Sequence, residues 1–245
     1  TDNGREAVYI ARDNTMRLYD FAENQEKIIQ DEPIWRNVVI SKDGLRLAAV
    51  TKDLEPRILI YDFVSRRFFN DGYRLENPTY AQGIETGDVQ FADAMEWDAG
   101  GEMLMYDAKS RIRSTFGDDI EYWDIGFLRV WDNSRNSFGD GFIAKLFSGL
   151  PDDVSVGNPT FAKNSPDVVA FDYIDEFANE YELQAVNVER NRVNTLFENQ
   201  QLSYPSYSVD DRDIIFDAAD NLRAMLECKG TNDGGTARDK ALRFG

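Results

Sequence analysis

The sequence contains no histidine and one cysteine, Cys228. Without histidine the chain cannot assemble a Ser-His-Asp or Cys-His pair, the common histidine ligand sets of zinc hydrolases, or the side chain most used as a general base. A single cysteine forms no internal disulfide and no thiolate zinc cluster. In Met225-Leu226-Glu227-Cys228 it reads as a small buried hydrophobe rather than a nucleophile. Long apolar runs are missing too: none approaches the roughly 18 residues a membrane-spanning helix needs, and no signal-peptide pattern is visible. Basic residues are outnumbered, 27 against 45 acidic, for a net charge of −18. That sign repels nucleic-acid phosphates and anionic lipid, so neither nucleic acid nor membrane is expected as a partner. No Gly-x-Ser-x-Gly elbow occurs, and serines such as Ser165 and Ser203 have no partner base. Acid pairs such as Asp118/Asp119 suit a glycosidase only at a defined spatial separation, which sequence adjacency does not supply. The expectation is therefore a chain that is not an enzyme and has no resident cofactor.

What is present describes a folded β protein. The 245 residues are 42% hydrophobic and 13% aromatic, enough for a real core and too apolar for wholesale disorder. The acidic balance suits solubility in a salty or extracytoplasmic setting, periplasmic or secreted. The governing pattern is a repeat. Lys42-Asp43-Gly44 opens the apolar run Leu45–Thr51, and Arg57–Tyr61 closes on Asp62. Asp2-Asn3-Gly4, Ala7–Ala11 and Met16–Asp20 repeat that order 40 residues earlier. Further copies turn at Gly101, Asp167 and Asp211. The short runs are rich in β-branched and aromatic residues, with Gly, Asn and Asp clustered between them. No segment keeps a helical period; at most one turn fits Asp175–Tyr181. Five segments result, about 1–33, 34–88, 89–152, 153–200 and 201–245, each a four-stranded antiparallel blade and together one domain. The first segment lacks the strand that should precede Asp2. The chain is thus expected to belong to a longer protein, or to complete a blade with strands from both termini.

At this point the residues resemble a known family. Ser41-Lys-Asp-Gly-Leu-Arg-Leu-Ala-Ala and Asn164-Ser-Pro-Asp-Val-Val-Ala-Phe are similar to the Ser-Pro-Asp-Gly repeat of TolB-like β-propellers. The endings Leu18-Tyr-Asp20, Ile60-Tyr-Asp62 and Val130-Trp-Asp132 resemble the Trp-Asp ending of WD-repeat propellers. The Gly-His dipeptide common in WD repeats cannot occur without histidine, which favours the TolB-like branch. Two departures stand out. Val186-Asn187-Val188 has Asn where Asp is expected, and five blades are few where six to eight are common. The resemblance implies an all-β propeller and leaves its function open, because one fold hosts many functions.

Two constellations are candidate sites. Asp107, Asp172 and Asp217 close equivalent second-strand motifs (Tyr-Asp, Phe-Asp and Phe-Asp). They either ring one mouth of a channel as oxygen ligands for Ca²⁺, or accept hydrogen bonds from their own loops. No EF-hand spacing supports the metal reading. The second is an insertion, Lys109–Ile125, carrying Asp118, Asp119, Glu121, Tyr122, Trp123 and Asp124. Insertions in repeat proteins map to loops on one face, often the binding face. Read functionally, Tyr122 and Trp123 anchor a protein or peptide partner and the acids select a basic or metal-bearing one. Read structurally, Tyr122 and Trp123 begin a long third strand and pack between blades. The resulting expectation is a protein- or peptide-binding scaffold of unknown oligomeric state. The alternatives are the propeller domain of a larger hydrolase or peptidase, and a cation- or glycan-binding propeller.

Overall fold

A computed structural model of the chain describes residues 1, 4–69, 71–77, 87–113, 117 and 119–219, together with the strand backbones Arg223–Glu227 and Leu242–Phe244. Asp118, Cys228 and most of the loop expected at 76–88 lie outside the described residues. The chain divides into two compact units, Thr1–Glu121 with Gly126–Lys145 (unit 1) and Tyr122–Ile125 with Leu146–Gly245 (unit 2).

The described strands form antiparallel sheets in chain order. The first holds β1 (Glu6–Ile10), β2 (Met16–Asp20) and β3 (Gln25–Gln30). The second holds β4 (Trp35–Ile40), β5 (Arg46–Thr51), β6 (Arg57–Asp62) and β7 (Arg67–Phe68), and β8 (Tyr73–Arg74) also pairs with β6. The third holds β9 (Asp88–Trp97), β10 (Met103–Arg113) and β11 (Asp119–Arg129), then a short ribbon of β12 (Trp131–Asp132) with β13 (Ser137–Phe138). The sheet closes with β14 (Ile143–Lys145) against β11. The fourth is β15 (Val154–Phe161), β16 (Val168–Asp175), β17 (Glu180–Asn187) and β18 (Arg192–Asn199). The fifth is β19 (Ser206–Tyr207), β20 (Asp213–Asp217), β21 (Arg223–Glu227) and β22 (Leu242–Phe244). This is the expected all-β fold of four-stranded blades, with a first sheet of three strands. Asp175–Glu180 is a hairpin turn, with those two residues paired, and not a turn of helix.

Period two explains how inner strands bury both faces. Leu47 and Ala49 of β5 point into a core with Met16, Trp35 and Val38, against the first sheet. Ala48 and Val50, one residue out of phase, join Ile58, Ile60, Trp97 and Leu104, against the third. In unit 2, Ala170, Leu183, Tyr207, Ile214 and Phe216 form the equivalent core between the fourth and fifth sheets. Fully burying one such side chain is worth about 1.5–3 kcal/mol. Short apolar strands without simple polar alternation are the sequence trace of this two-sided burial.

The repeat motif is a set of self-satisfying turns. Ser41 N donates to Arg46 O at 2.8 Å, and Gly44 N to Ser41 O at 2.9 Å. The Ser41 hydroxyl donates to Asp43 Oδ1 at 2.6 Å and accepts from Arg46 N at 3.0 Å. Gly44 sits at φ +74°, where a side chain is strained. Ser208, Asp210 and Asp213 rebuild the same turn, with Asp211 at φ +57° in the glycine's place. The third-strand aspartates cap the next turn: Asp20 accepts from Ala22 N and Glu23 N, and Asp62 from Val64 N and Ser65 N. Asn187 Oδ1 accepts from Arg190 N at 2.8 Å, so the amide does the aspartate's work.

Candidate functional site

Residues 109–113 and 119–125 of the expected insertion are strand. β10 runs on to Arg113 and β11 begins at Asp119. The reason is cross-strand charge: Lys109 Nζ lies 2.5 Å from Glu121 Oε2, and Arg111 Nη1 3.9 Å from Asp119 Oδ2. The Lys109 hydrogen bond and charge hold the Glu121 carboxyl below its ordinary value. Two of the acids expected to select a partner thus already have cations beside them.

The aspartate triplet is also placed differently from expectation. Asp217 does end β20, but Asp107 and Asp172 lie mid-strand, because β10 and β16 go on pairing beyond them. Both sit at bulges. Asp93 and Ala94 of β9 oppose Asp107 across a register break, and the Asp107 carboxylate takes the Ala94 N–H at 2.7 Å. Asp172 lies where β15 bulges after Gly157, and its carboxylate accepts from Asn158 Nδ2 at 2.9 Å. Among the described residues no group of three or more acidic, histidine or cysteine side chains is placed to hold a metal ion.

Two predicted residues do come together. Trp123 and Asp217 line one cleft of about 750 Å³ in unit 2, within the range of small-ligand sites. One wall is the end of the fourth sheet: Ile174 at the end of β16, Glu176 and Asn179 in the following turn, and Tyr181 at the start of β17. The other is the loop after β18, with Gln200, Gln201, Leu202 and Tyr204. Trp123 enters from β11, whose backbone N–H at that residue donates to the buried Ser155 hydroxyl at 3.1 Å. Aromatic, amide and two acidic residues thus share one surface, with no lysine or arginine among the described lining residues.

The loop wall is built rather than loosely draped. Asp172, 2% exposed, accepts from Ser203 N at 2.8 Å and Tyr204 N at 3.1 Å. Asn199 Nδ2 donates to Asp217 O at 2.8 Å and to Ser203 Oγ at 3.0 Å, and its Oδ1 accepts from Ala219 N at 3.0 Å. Gln201 Nε2 donates to Ala218 O at 3.1 Å. Under these restraints Tyr204 adopts φ +47°, a left-handed conformation that costs a bulky residue about 1–2 kcal/mol, and the residue stays 57% exposed. Burial pushes the Asp172 carboxyl above its ordinary value. The hydrogen bonds from Ser203, Asn158 and Tyr204 oppose that rise without cancelling it.

Glu176, Asn179, Tyr181, Gln200, Gln201 and Tyr204 were not singled out by sequence. The available signal was the stretch 164–189, with seven acidic residues and no basic one, followed by 193–211, again without a base.

No family model matches the sequence, nor does any curated protein. Solved structures do match. TolB from Acinetobacter baumannii is similar with a TM-score of 0.64 and 15% identity, over 92% of this chain and 49% of its own. The fold is that of a TolB-like β-propeller. The tricorn protease matches the propeller with a TM-score of 0.57 and 13% identity, over 99% of this chain and 26% of its own. A puromycin-hydrolyzing peptidase of Mycobacterium tuberculosis matches with a TM-score of 0.56 and 10% identity, over 98% and 36%. The chain therefore spans about half the length of the TolB structure and less of the two peptidases. At these identities the likeness carries the fold and leaves activity to the residues.

Proposed function

We propose that this β-propeller is a non-enzymatic binding module whose unit-2 cleft receives a protein or peptide partner. The observation that supports the reading is the cleft itself. It gathers Trp123, Tyr181 and Tyr204 with amides and carboxylates on a scaffold that fixes the loop wall through buried Asp172. Aromatic residues supply contact area at low entropic cost, and amides both donate and accept to a peptide backbone. With no histidine in the chain, none of these groups has the usual general base beside it. A peptide library displayed against the isolated chain tests the reading. Enriched peptides should bind wild type, weaken roughly tenfold or more on Tyr181→Ala or Trp123→Ala, and be recovered chemically intact by mass spectrometry. Binding indifferent to both substitutions overturns the site.

A second reading has a specific support: two matched structures are named as a protease and a peptidase, and this chain covers only a part of each. On that reading the propeller belongs to a larger hydrolase or peptidase whose catalytic residues lie outside this chain. The full reading frame decides it, since a catalytic domain beside residues 1–245 establishes the second reading and its absence removes it.

A further inference from the structure

We infer that the group anchoring the partner in the unit-2 cleft is a cation, a lysine or arginine side chain on an extended peptide, received by Trp123, Tyr181 and Tyr204 together with Glu176 and Asp217. The inference rests on the binding reading above and adds the chemistry of the ligand.

Charge decides between ligand classes. Among the described residues the lining offers two carboxylates and no basic side chain, so its net charge disfavours a carboxylate, phosphate or sulfate ligand. The field extends beyond the lining. Tyr173, next to Ile174 in β16, has its hydroxyl pushed up first by burial and then by the charges of Asp175, Glu182 and Glu180. In residues 146–219 the basic side chains are Lys163, Arg190, Arg192 and Arg212, and beyond them Arg223 of β21 pairs in register with Asp217. Register places three of them at the far end of the fourth sheet. Arg192 pairs with Asn187, Arg190 N closes the Asn187 turn, and Lys163 follows β15, whereas the cleft sits by the Asp175–Glu180 turn. Arg212 lies in the turn before β20, and Asp217 ends that strand at the cleft.

Shape and polarity narrow the cation. Aromatic faces attract a cation within about 6 Å of the ring centroid, most strongly for tryptophan. Glutamine and asparagine amides suit the peptide groups flanking such a side chain. A hard metal ion takes carboxylate and amide oxygens and makes little use of three rings, and a neutral sugar stacks on rings and hydrogen-bonds carboxylates but draws nothing from their net charge. A volume of about 750 Å³ exceeds one side chain and suits a short segment of a chain.

Titration calorimetry on the whole chain tests this with an arginine-containing peptide, the same peptide with citrulline at each arginine, and a neutral chito-oligosaccharide. The arginine peptide should bind roughly tenfold or more tightly than its citrulline twin, and the difference should shrink between about 0.02 M and 0.2 M salt. Glu176→Gln with Asp217→Asn should weaken the arginine peptide roughly tenfold and leave the citrulline peptide unchanged. Glu32→Gln with Asp53→Asn, exposed in unit 1, matches the charge change and should leave both unchanged. Glu176→Gln alone, in an exposed turn, serves where the double variant does not fold. Equal binding of the two peptides, or an equal effect of the unit-1 control, overturns the cationic anchor and leaves the peptide-binding reading standing. Binding of the oligosaccharide alone, or of no probe, overturns both.

Discussion

Residues 1–121 carry 15 basic and 24 acidic side chains, whereas residues 146–219 carry four and 14. In unit 1 the cations work inside the fold. Arg36 meets Asp93 at 2.8 Å and lies 5.0 Å from the Phe91 ring centroid, joining β4 to β9. Arg46, 4% exposed, contacts Asp43 at 3.2 Å and stacks 4.0 Å from the Trp131 ring centroid. Residues 146–219 of unit 2 hold their core with those four basic side chains. Its buried carboxylate Asp172 is satisfied by amide donors, and exposed carboxylates gather by the cleft. Packing is therefore common to both units, and the handling of negative charge separates them.

The largest effect should show no difference between units. Leu47 and Leu183 are both 0% exposed in their respective cores. Leu47→Ala and Leu183→Ala should each cost about 2–5 kcal/mol in urea unfolding, transfer and cavity terms together. A loss below about 1 kcal/mol for Leu183→Ala alone would mean that unit 2 lacks the packed core described here and that the comparison begins deeper than charge.

Asp172 sharpens the comparison at the next level. Asp172→Ala removes the acceptor for Ser203 N, Tyr204 N and Asn158 Nδ2 and should cost about 1–3 kcal/mol. It should also abolish peptide capture by releasing Tyr204. The pH dependence of Asp172 is opposite in sign to that of the turn-capping aspartates Asp20 and Asp62. Asp172 is raised, so between the ordinary carboxylate value near 3.9 and its folded value the unfolded chain has lost the proton that the fold retains. Its contribution to stability therefore falls as pH rises through that interval. Asp20 in unit 1 is lowered, first by the Glu23 N–H, against burial, with help from Arg5 and the Ala22 N–H. Burial also pushes Asp62 up, but Ser65, Val64 N–H and Arg46 hold it below its ordinary value. Those contributions are complete above the ordinary value and are lost as pH falls through the folded ones. Carboxyl ¹³C titration of the folded chain reads all three; Asp172 titrating below Asp20 would erase the contrast.

These particulars show what sequence could and could not reveal. Local chemistry was legible: Ser41-x-Asp43-Gly44 names its own turn, and Leu47-Ala48-Ala49-Val50 names a strand covered on both sides. The first sheet's missing strand followed from the same repeat. Segment 109–125 allowed both a recognition loop and a long third strand, because pairing with Lys109 and Arg111 is a property of the neighbouring strand. Asp107, Asp172 and Asp217 share an aromatic-Asp motif, but the first two lie at bulges within strands and the third ends its strand. Their bulges are invisible in sequence, since a bulge depends on how two strands slip past one another. The cleft was half visible, through Trp123 and Asp217. Its other wall comes from residues 199–204, polar and unremarkable until Asp172 and Asn199 fix them.

The smallest predicted effect tests whether unit 1 uses its cations for shape as well as charge. Arg46→Lys keeps the positive charge beside Asp43 and Asp62 but replaces a planar guanidinium with a compact ammonium. If charge were all that mattered, stability would be unchanged. The guanidinium lies against Trp131, so the lysine variant should lose about 0.5–1 kcal/mol, and tryptophan fluorescence should report the altered Trp131 environment. Arg46→Met separates the terms further: it keeps apolar contact with the ring but leaves Asp43 and Asp62 without their shared cation. A lysine variant as stable as wild type, beside a destabilised methionine variant, would reduce Arg46 to a counter-ion. The units would then differ in the number of their cations alone.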